Sequence, residues 1–316
     1  MTNRIFNASS TCDDVLEGMD LSGKAALVTG ASGGLGAEAA RSLAAKGCKV
    51  TIAARSKEKT EAVIASIKEA HPNAELDYGE LELSDPSSVN RFADEWLASH
   101  NQLDMLILNA GVMACPLERT PQGWEMQLAT NHFGHFLLSS RLLPALKASA
   151  PARVVSLSSA GHALSPVLLD DPHFNTTEYD AWVSYGQSKT ANIWFANEFD
   201  RRYAKEGIRA VALHPGVIYT DLSRHLTDDT LKALLSRMEG RGEKPKPIPA
   251  GAATSVFAAT APELEGRGAL YLADCNVIDE NSDEMLQFAP HAFDPESEKR
   301  LWALTEQTLG VTFGEQ

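Results

Sequence analysis

The run Ala25-Ala26-Leu27-Val28-Thr29-Gly30-Ala31-Ser32-Gly33-Gly34-Leu35-Gly36 decides the fold. A short apolar stretch ends on a glycine, further glycines follow, and Ala37 to Lys46 is rich in helix formers before the stop signal Gly47. The pattern predicts a strand, a tight turn and a helix. Glycines in such a turn let the backbone approach a pyrophosphate, and the helix N-terminus offers N–H groups with no partner in the helix.

Outward from this unit the same alternation recurs. Val50 to Ala54 reads as strand, Lys57 to Glu69 as helix, Glu75 to Leu83 as strand, Pro86 to Ser99 as helix and Leu103 to Leu108 as strand. Then come a long helix over Trp124 to Lys147, a strand over Arg153 to Leu157, a helix over Ser184 to Lys205 and a strand over Ile208 to Leu213. Ala250 to Thr260 reads as helix and Gly268 to Leu272 as the last strand. Strands alternating with helices predict an α/β fold, a doubly wound parallel sheet of about seven strands covered on both faces. Two linkers, Gly240 to Pro249 and Glu280 to Pro295, enclose no second core. The expectation is therefore one dinucleotide-binding domain over 1–316, with its core at about 20–275, an N-terminal extension 1–19, a segment 221–249 over the site and a C-terminal extension 276–316.

Composition narrows the partners. Hydrophobic residues at 44% and charged residues at 22% are ordinary for a globular chain. Acidic residues outnumber basic ones 42 to 28, for a net charge of -14, which repels phosphate backbones and anionic headgroups. Neither nucleic acid nor a membrane is expected as partner; a small-molecule substrate is. Cys12, Cys48, Cys115 and Cys275 lack metal or redox spacing and read as reduced thiols. With no apolar run of signal-peptide or membrane-spanning type, the expected location is cytoplasmic.

The second strand ends Ile52-Ala53-Ala54-Arg55, about 20 residues beyond the glycines, where an acid would bind the ribose 2'-hydroxyl of NAD. Ala54 stands there instead, and Arg55 with Lys57 suits a 2'-phosphate, so NADP(H) is expected over NAD. Tyr185 and Lys189 in Tyr185-Gly186-Gln187-Ser188-Lys189 are spaced i, i+4 and share one helix face. His132 and His135 have no placed partner for a metal and read as packing residues, so no metal is expected. Cys115 reads as an inert thiol near the cleft. Ile193, Trp194, Phe195 and Phe199 read as core or as the interface of a possible homo-oligomer.

Taken together, Thr29-Gly30-xxx-Gly34-x-Gly36, Asn109-Ala110-Gly111, Asn131, Ser158-Ser159, Tyr185-xxx-Lys189 and His214-Pro215-Gly216-Val217-Ile218-Tyr219-Thr220 resemble the short-chain dehydrogenase/reductase superfamily over about residues 20–275. The Asp20-Leu21-Ser22-Gly23-Lys24 lead-in, the Asn131-His132-Phe133-Gly134-His135-Phe136 string and the long Ser159 to Tyr185 interval look like its retinol dehydrogenase and WW-domain oxidoreductase branch. The resemblance implies that Tyr185 is the acid/base, that Lys189 binds the nicotinamide ribose and lowers the tyrosine pKa, that Ser159 rather than Ser158 polarises the carbonyl, and that Asn131 holds a water relay. It also implies cofactor contacts from Gly30, Ser32, Gly34, Leu35, Gly36, Arg55, Glu82, Leu83, Asn109, Ala110, Gly111, Pro215, Gly216, Ile218 and Thr220. Two positions depart from the family pattern: Glu82 stands for its usual Asp, and Leu108 for the first Asn of Asn-Asn-Ala-Gly.

The function so implied is NADP(H)-dependent interconversion of an alcohol and a carbonyl. Reduction of an activated C=C bond on the same Tyr and Lys is the alternative, and dinucleotide sensing without turnover a lesser one. The TGxxxGxG spacing disfavours sugar-nucleotide epimerases, which carry GxxGxxG. Leu222, Leu226, Leu231, Leu234, Leu235 and Met238 offer an apolar helical face where such enzymes carry a lid, backed by Pro245, Pro247 and Pro249. The expected substrate is accordingly bulky and apolar, unless this face only packs on the core.

Overall fold

A computed structural model describes residues 5–226, 232, 244–279, 282 and 288–315. Short, mostly apolar runs build one sheet from β1 (Ala25–Thr29), β2 (Lys49–Ala54), β3 (Leu76–Glu80), β4 (Met105–Leu108), β5 (Ala152–Leu157), β6 (Ile208–His214), β7 (Leu270–Ala273) and β8 (Asn276–Val277). Their order is β3-β2-β1-β4-β5-β6-β7-β8, parallel except for the last pair. Strands β1, β2 and β4 to β7 feed both faces, as a pleat of period two requires. Ala26 and Val28 of β1, Ile107 of β4 and Val155 of β5 enter one core, while Leu27, Leu106 and Val154 enter the other.

The first core lies under α1 (Cys12–Val15), α2 (Gly34–Ala44), α3 (Lys57–Ala70) and, anticipating chain order, α8 (Ile248–Thr260). The second lies under α4 (Pro86–Ser99), α6 (Gly134–Ala148), α7 (Ala181–Tyr203) and α9 (Pro295–Leu309). Strand order reverses about β1: β2 and β3 are added on one side of it, β4 to β6 on the other. Ligands of open α/β sheets bind in the crevice at such a switch point, outside the carboxyl ends of the strands.

Two expected elements need correction, and two features add to the expected fold. The sheet has eight strands rather than about seven, because β8 is a two-residue antiparallel hairpin arm, too short to show a period. The strand expected over Glu75 to Leu83 stops at Glu80, and Leu81 to Leu83 belong to the loop that leads into α4. The long helix expected from Trp124 is broken: Met126–Leu128 (α5) passes into a π-turn, Ala129–Phe133, before α6 begins. The C-terminal extension carries α9, whose Leu301, Trp302 and Thr305 are buried. Of the apolar face expected after Thr220, Leu231, Leu234, Leu235 and Met238 lie outside the described residues. Leu222 falls in a half-buried 3-10 turn, Asp221–His225, and Leu226 follows it.

Candidate active site

The glycine-rich turn is shaped by backbone that no side chain could share. Gly30 has φ +67°, and a Cβ there would lie 2.8 Å from the Ala110 Cα. At Gly36 a Cβ would lie 2.6 Å from Asn109 Nδ2 and 2.8 Å from the Gly30 carbonyl. Asn109 explains the fit: its Nδ2 donates to the Thr29 carbonyl (2.8 Å), so the end of β4 is tied to the turn after β1. No side chain caps α2 at Gly33, which leaves its first N–H groups facing the turn, as a phosphate site requires. The segment after β6 closes the other side: Thr220 Cγ2 is 3.4 Å from the Cβ position of Gly34. Ile218 and Leu35 both pack on Gly251 of α8, and Gly216 has φ +95°. The cradle thus fits a dinucleotide on its own geometry.

Gly30, Ser32, Gly34, Leu35, Gly36, Asn109, Ala110, Gly111, Gly216, Ile218 and Thr220 therefore form or adjoin one wall, with Pro215 leading into it. Leu83 is different: it is buried, and its carbonyl packs against Gly134. Arg55 and Glu82 lie just past the ends of the adjacent strands β2 and β3 and pair with each other at 3.4 Å, with the Arg55 side chain 64% exposed and Glu82 35%. Glu82 Oε1 also accepts from the N–H and hydroxyl of Ser84, which shapes the turn after β3.

Beyond Gly111 the wall continues into a polar cluster. A Cβ on Gly111 would lie 3.1 Å from Asn131 Oδ1 and 3.5 Å from Lys189 Nζ. Asn131 sits in the π-turn with its side chain fully used: Oδ1 accepts from Val112 N–H (2.8 Å), and Nδ2 donates to the Val112 carbonyl and the Ser188 hydroxyl, both 2.9 Å. Tyr185 and Lys189 project from one face of α7, Nζ lying 5.7 Å from the phenol ring centre. Lys189 Nζ donates to the Leu157 carbonyl at 3.0 Å. Ser158 and Ser159 divide their work. The buried Ser158 hydroxyl donates to the Lys189 carbonyl (2.8 Å), whereas Ser159 faces the Tyr185 phenol and accepts from Gly161 N–H at 3.1 Å. Gly161 permits this, because a Cβ there would stand 2.7 Å from the Tyr185 ring.

Burial governs the electrostatics. It pushes the Tyr185 phenol up to about 12, with the hydrogen bond to Ser159 opposing. It pushes Lys189 down to about 8. Both shifts favour the neutral form, as desolvation does. Desolvation outweighs any lowering of Tyr185 by the nearby Lys189 ammonium.

Sequence reading undervalued several histidines. His135 Nδ1–H donates to the Asn131 carbonyl (3.0 Å), which makes Nε2 the acceptor of the Thr29 hydroxyl (2.9 Å). The Thr29 Oγ1 in turn accepts from Ala110 N–H at 3.0 Å. His135 is buried as expected of a packing residue, yet it links the glycine-rich turn to the π-turn. His132 packs among Phe133, Phe136 and Phe195 and bonds Thr305 of α9 at 2.9 Å. Cys115 is buried, and its thiol is pushed up to about 11 by desolvation and by Glu125. Ile193, Trp194, Phe195 and Phe199 are all core. No helix of the described residues is long and apolar enough to cross a membrane.

Comparison with known proteins places this geometry in context. The family model described as short chain dehydrogenase matches residues 24–231. A short-chain dehydrogenase/reductase, prx1 of Penicillium roqueforti, is 40% identical across 97% of this chain and 92% of its own length. Human retinol dehydrogenase 12 is 37% identical across 98% and 92%. Among solved structures, a putative uncharacterized protein from Mycobacterium paratuberculosis superposes with a TM-score of 0.74 at 31% identity, covering 96% of this chain and 99% of that one. The Pseudomonas aeruginosa RhlG/NADP active-site complex gives 0.64 at 26%, covering 80% and 95%.

Proposed function

This chain belongs to the short-chain dehydrogenase/reductase family, and from that premise we propose that it is an NADP(H)-dependent oxidoreductase that interconverts an alcohol and a carbonyl on a bulky apolar substrate. The observation that carries the reading is the meeting of Ser159, Tyr185 and Lys189 at the end of the glycine-rich wall.

Gly30, Gly34, Gly36 and the α2 N-terminus would hold the pyrophosphate, Asn109, Ala110 and Gly111 the middle of the cofactor, and Gly216, Ile218 and Thr220 its nicotinamide end. When bound, the nicotinamide supplies or accepts the hydride and, oxidised, brings a positive charge. Tyr185, with its phenol near 12, keeps its proton at neutral pH and is ready to donate it to a carbonyl oxygen. Ser159 offers the same oxygen a hydroxyl held by Gly161 N–H. A positioned donor of this kind typically contributes ~2.7 to 4 kcal/mol to a transition state that develops oxyanion charge. Asn131 anchors the π-turn through Val112 and Ser188, and from that place it would hold the relay water.

NADP(H) is favoured by Ala54 and by the exposed Arg55 guanidinium, and the solved relative named above is itself an NADP complex. Substrate bulk is favoured by apolar residues left exposed on three loops at the carboxyl edge of the sheet: Leu117 after β4, Leu164 after β5 and Tyr219 after β6. A relative named for retinol points the same way. Four buried free cysteines accord with a reducing compartment such as the cytoplasm.

NADPH oxidation should be followed against small aldehydes, bulky ketones and enones, with the products identified. An alcohol product from the bulky carbonyls is expected, and a saturated C=C bond would instead establish the alternative chemistry. Tyr185→Phe should bind NADPH and lose ~100-fold or more in turnover. A variant that keeps more than about a tenth of wild-type kcat ends the assignment.

A further inference from the structure

The loop that carries Ser159 is held from outside the family-matched region. Ser159 caps a 3-10 turn, Ala160–Leu164, and His162 of that turn is buried to 1% exposure. Its Nδ1 lies 2.6 Å from the Ser159 carbonyl, so Nδ1 carries the proton. Nε2 is then an acceptor, and it receives the backbone N–H of Ala289 at 3.0 Å. The C-terminal segment completes the contact in the other direction: His291 Nε2–H donates to the His162 carbonyl at 2.9 Å. On the far side His214 Nδ1 accepts from Ala160 N–H (3.1 Å), and the Tyr271 ring packs edge-on against His162.

We propose that His162 is a positioning residue for Ser159, and that the Ala289 to His291 segment locks it through reciprocal hydrogen bonds. The proposal rests on the reading of Ser159 as the residue that polarises the carbonyl. Its physical content is directional. An imidazole with both nitrogens committed cannot rotate, so the Ser159 carbonyl, and with it the Oγ that Gly161 N–H also holds, keeps one place relative to Tyr185. Burial pushes His162 down to about 4, which keeps the ring neutral and Nε2 an acceptor at working pH.

Two amide side chains separate the nitrogens: asparagine puts its NH₂ near the Nδ1 position, and glutamine puts its carbonyl near Nε2. His162→Asn keeps the bond to Ser159 and loses Ala289; His162→Gln does the reverse. With NADPH and the best bulky carbonyl found above, His162→Gln should lower kcat about tenfold, the loss of roughly one hydrogen bond. His162→Asn should stay within about threefold of wild type, and NADPH affinity, read by its fluorescence, should change less than about twofold in either. Ala289 has φ −64° and ψ 149°, so Ala289→Pro removes only the N–H, and an intermediate loss of about threefold is expected.

The decisive measurement is the double variant. If His162 acts through Ser159, His162→Gln should cost less than about twofold when introduced into Ser159→Ala. An equal loss in both backgrounds, or equal losses for His162→Asn and His162→Gln, overturns the proposal. Ser159→Ala alone tells the two readings apart: wild-type turnover there removes the role of Ser159 itself and this proposal with it. If the His162 variants do not fold, Ala289→Pro with and without Ser159→Ala makes the same comparison.

Discussion

Lys189 carries a structural cost that can be measured apart from its chemistry. Its ammonium is buried, and burial lowers its pKa from 10.5 to about 8. At pH 7 it is still mostly charged, so the folded state bears the desolvation penalty, roughly 3 kcal/mol at 1.36 kcal/mol per pKa unit. Lys189→Met keeps the stem's packing and removes the charge. It also removes the bond to the Leu157 carbonyl, but that oxygen still accepts from Asn192 Nδ2 at 2.9 Å and is not orphaned. With about 1 kcal/mol set against the lost bond, the variant should be more stable than wild type by about 1 to 2 kcal/mol at pH 7. The advantage should depend on pH with a definite sign. The unfolded lysine holds its proton up to about 10.4 while the folded one releases it near 8. Between those values the unfolded state binds more protons, so raising the pH stabilises wild type. The gap to Lys189→Met should therefore shrink as pH climbs from 8 toward 10. Thermal and urea unfolding from pH 6 to 10 reads both effects, alongside loss of turnover. A variant destabilised at pH 7, or a difference that does not change over the alkaline range, refutes the reasoning.

Arg55→Ala should weaken NADPH by ten- to a hundredfold, about 1.5 to 3 kcal/mol, and leave NADH unchanged in titration calorimetry. Glu82→Gln should tighten NADPH by less than about fivefold, because the exposed Arg55–Glu82 pair contributes under ~1 kcal/mol. Gly36→Ala should lose about 1 to 3 kcal/mol in urea unfolding, since its Cβ meets fixed backbone. Gly33→Ala, with open space around the same atom, should stay within about 0.5 kcal/mol. Burial holds His132, His135 and His214 near 3 and His162 near 4, while unfolded histidines titrate near 6.5. The unfolded state thus binds more protons below 6.5, and stability should fall as pH drops from 6.5 toward 4. Melting temperatures across that range should show the fall, and it should be shallower in His132→Leu.

What the sequence discloses follows the range of the interaction. The β1 to α2 turn was legible because strand, glycines and helix are contiguous, and Tyr185 with Lys189 because a helix converts i, i+4 into one face. That the sheet is parallel and covered on both faces followed from the alternation of elements; its strand order did not. The break in the helix after Leu128 was not legible: Ala129 to Phe133 carries no Gly or Pro to mark it, and the π-turn is fixed by Asn131, whose amide is claimed by Val112 and Ser188. The two-residue β8 has no period to read. The burial of α9 depends on Trp302 meeting Phe136 and Phe195, contacts that no local pattern announces.

The same distinction separates Ser158 from Ser159. In sequence they are equivalent neighbours on the end of β5, and only the family's habit chooses between them. In space the strand's period of two turns them apart, so Ser158 is consumed by the Lys189 carbonyl and Ser159 is turned to the phenol. The Ser158 bond holds the backbone of α7 at Lys189, while Lys189 Nζ reaches back to the Leu157 carbonyl one residue earlier. Two bonds in opposite senses therefore fasten α7 to the end of β5, one at Ser158 and one at Leu157. Tyr185, one helical turn before Lys189, inherits its place from that fastening. In the proposed mechanism Ser158 thus has no direct part, yet it helps to set the distance between Ser159 and Tyr185.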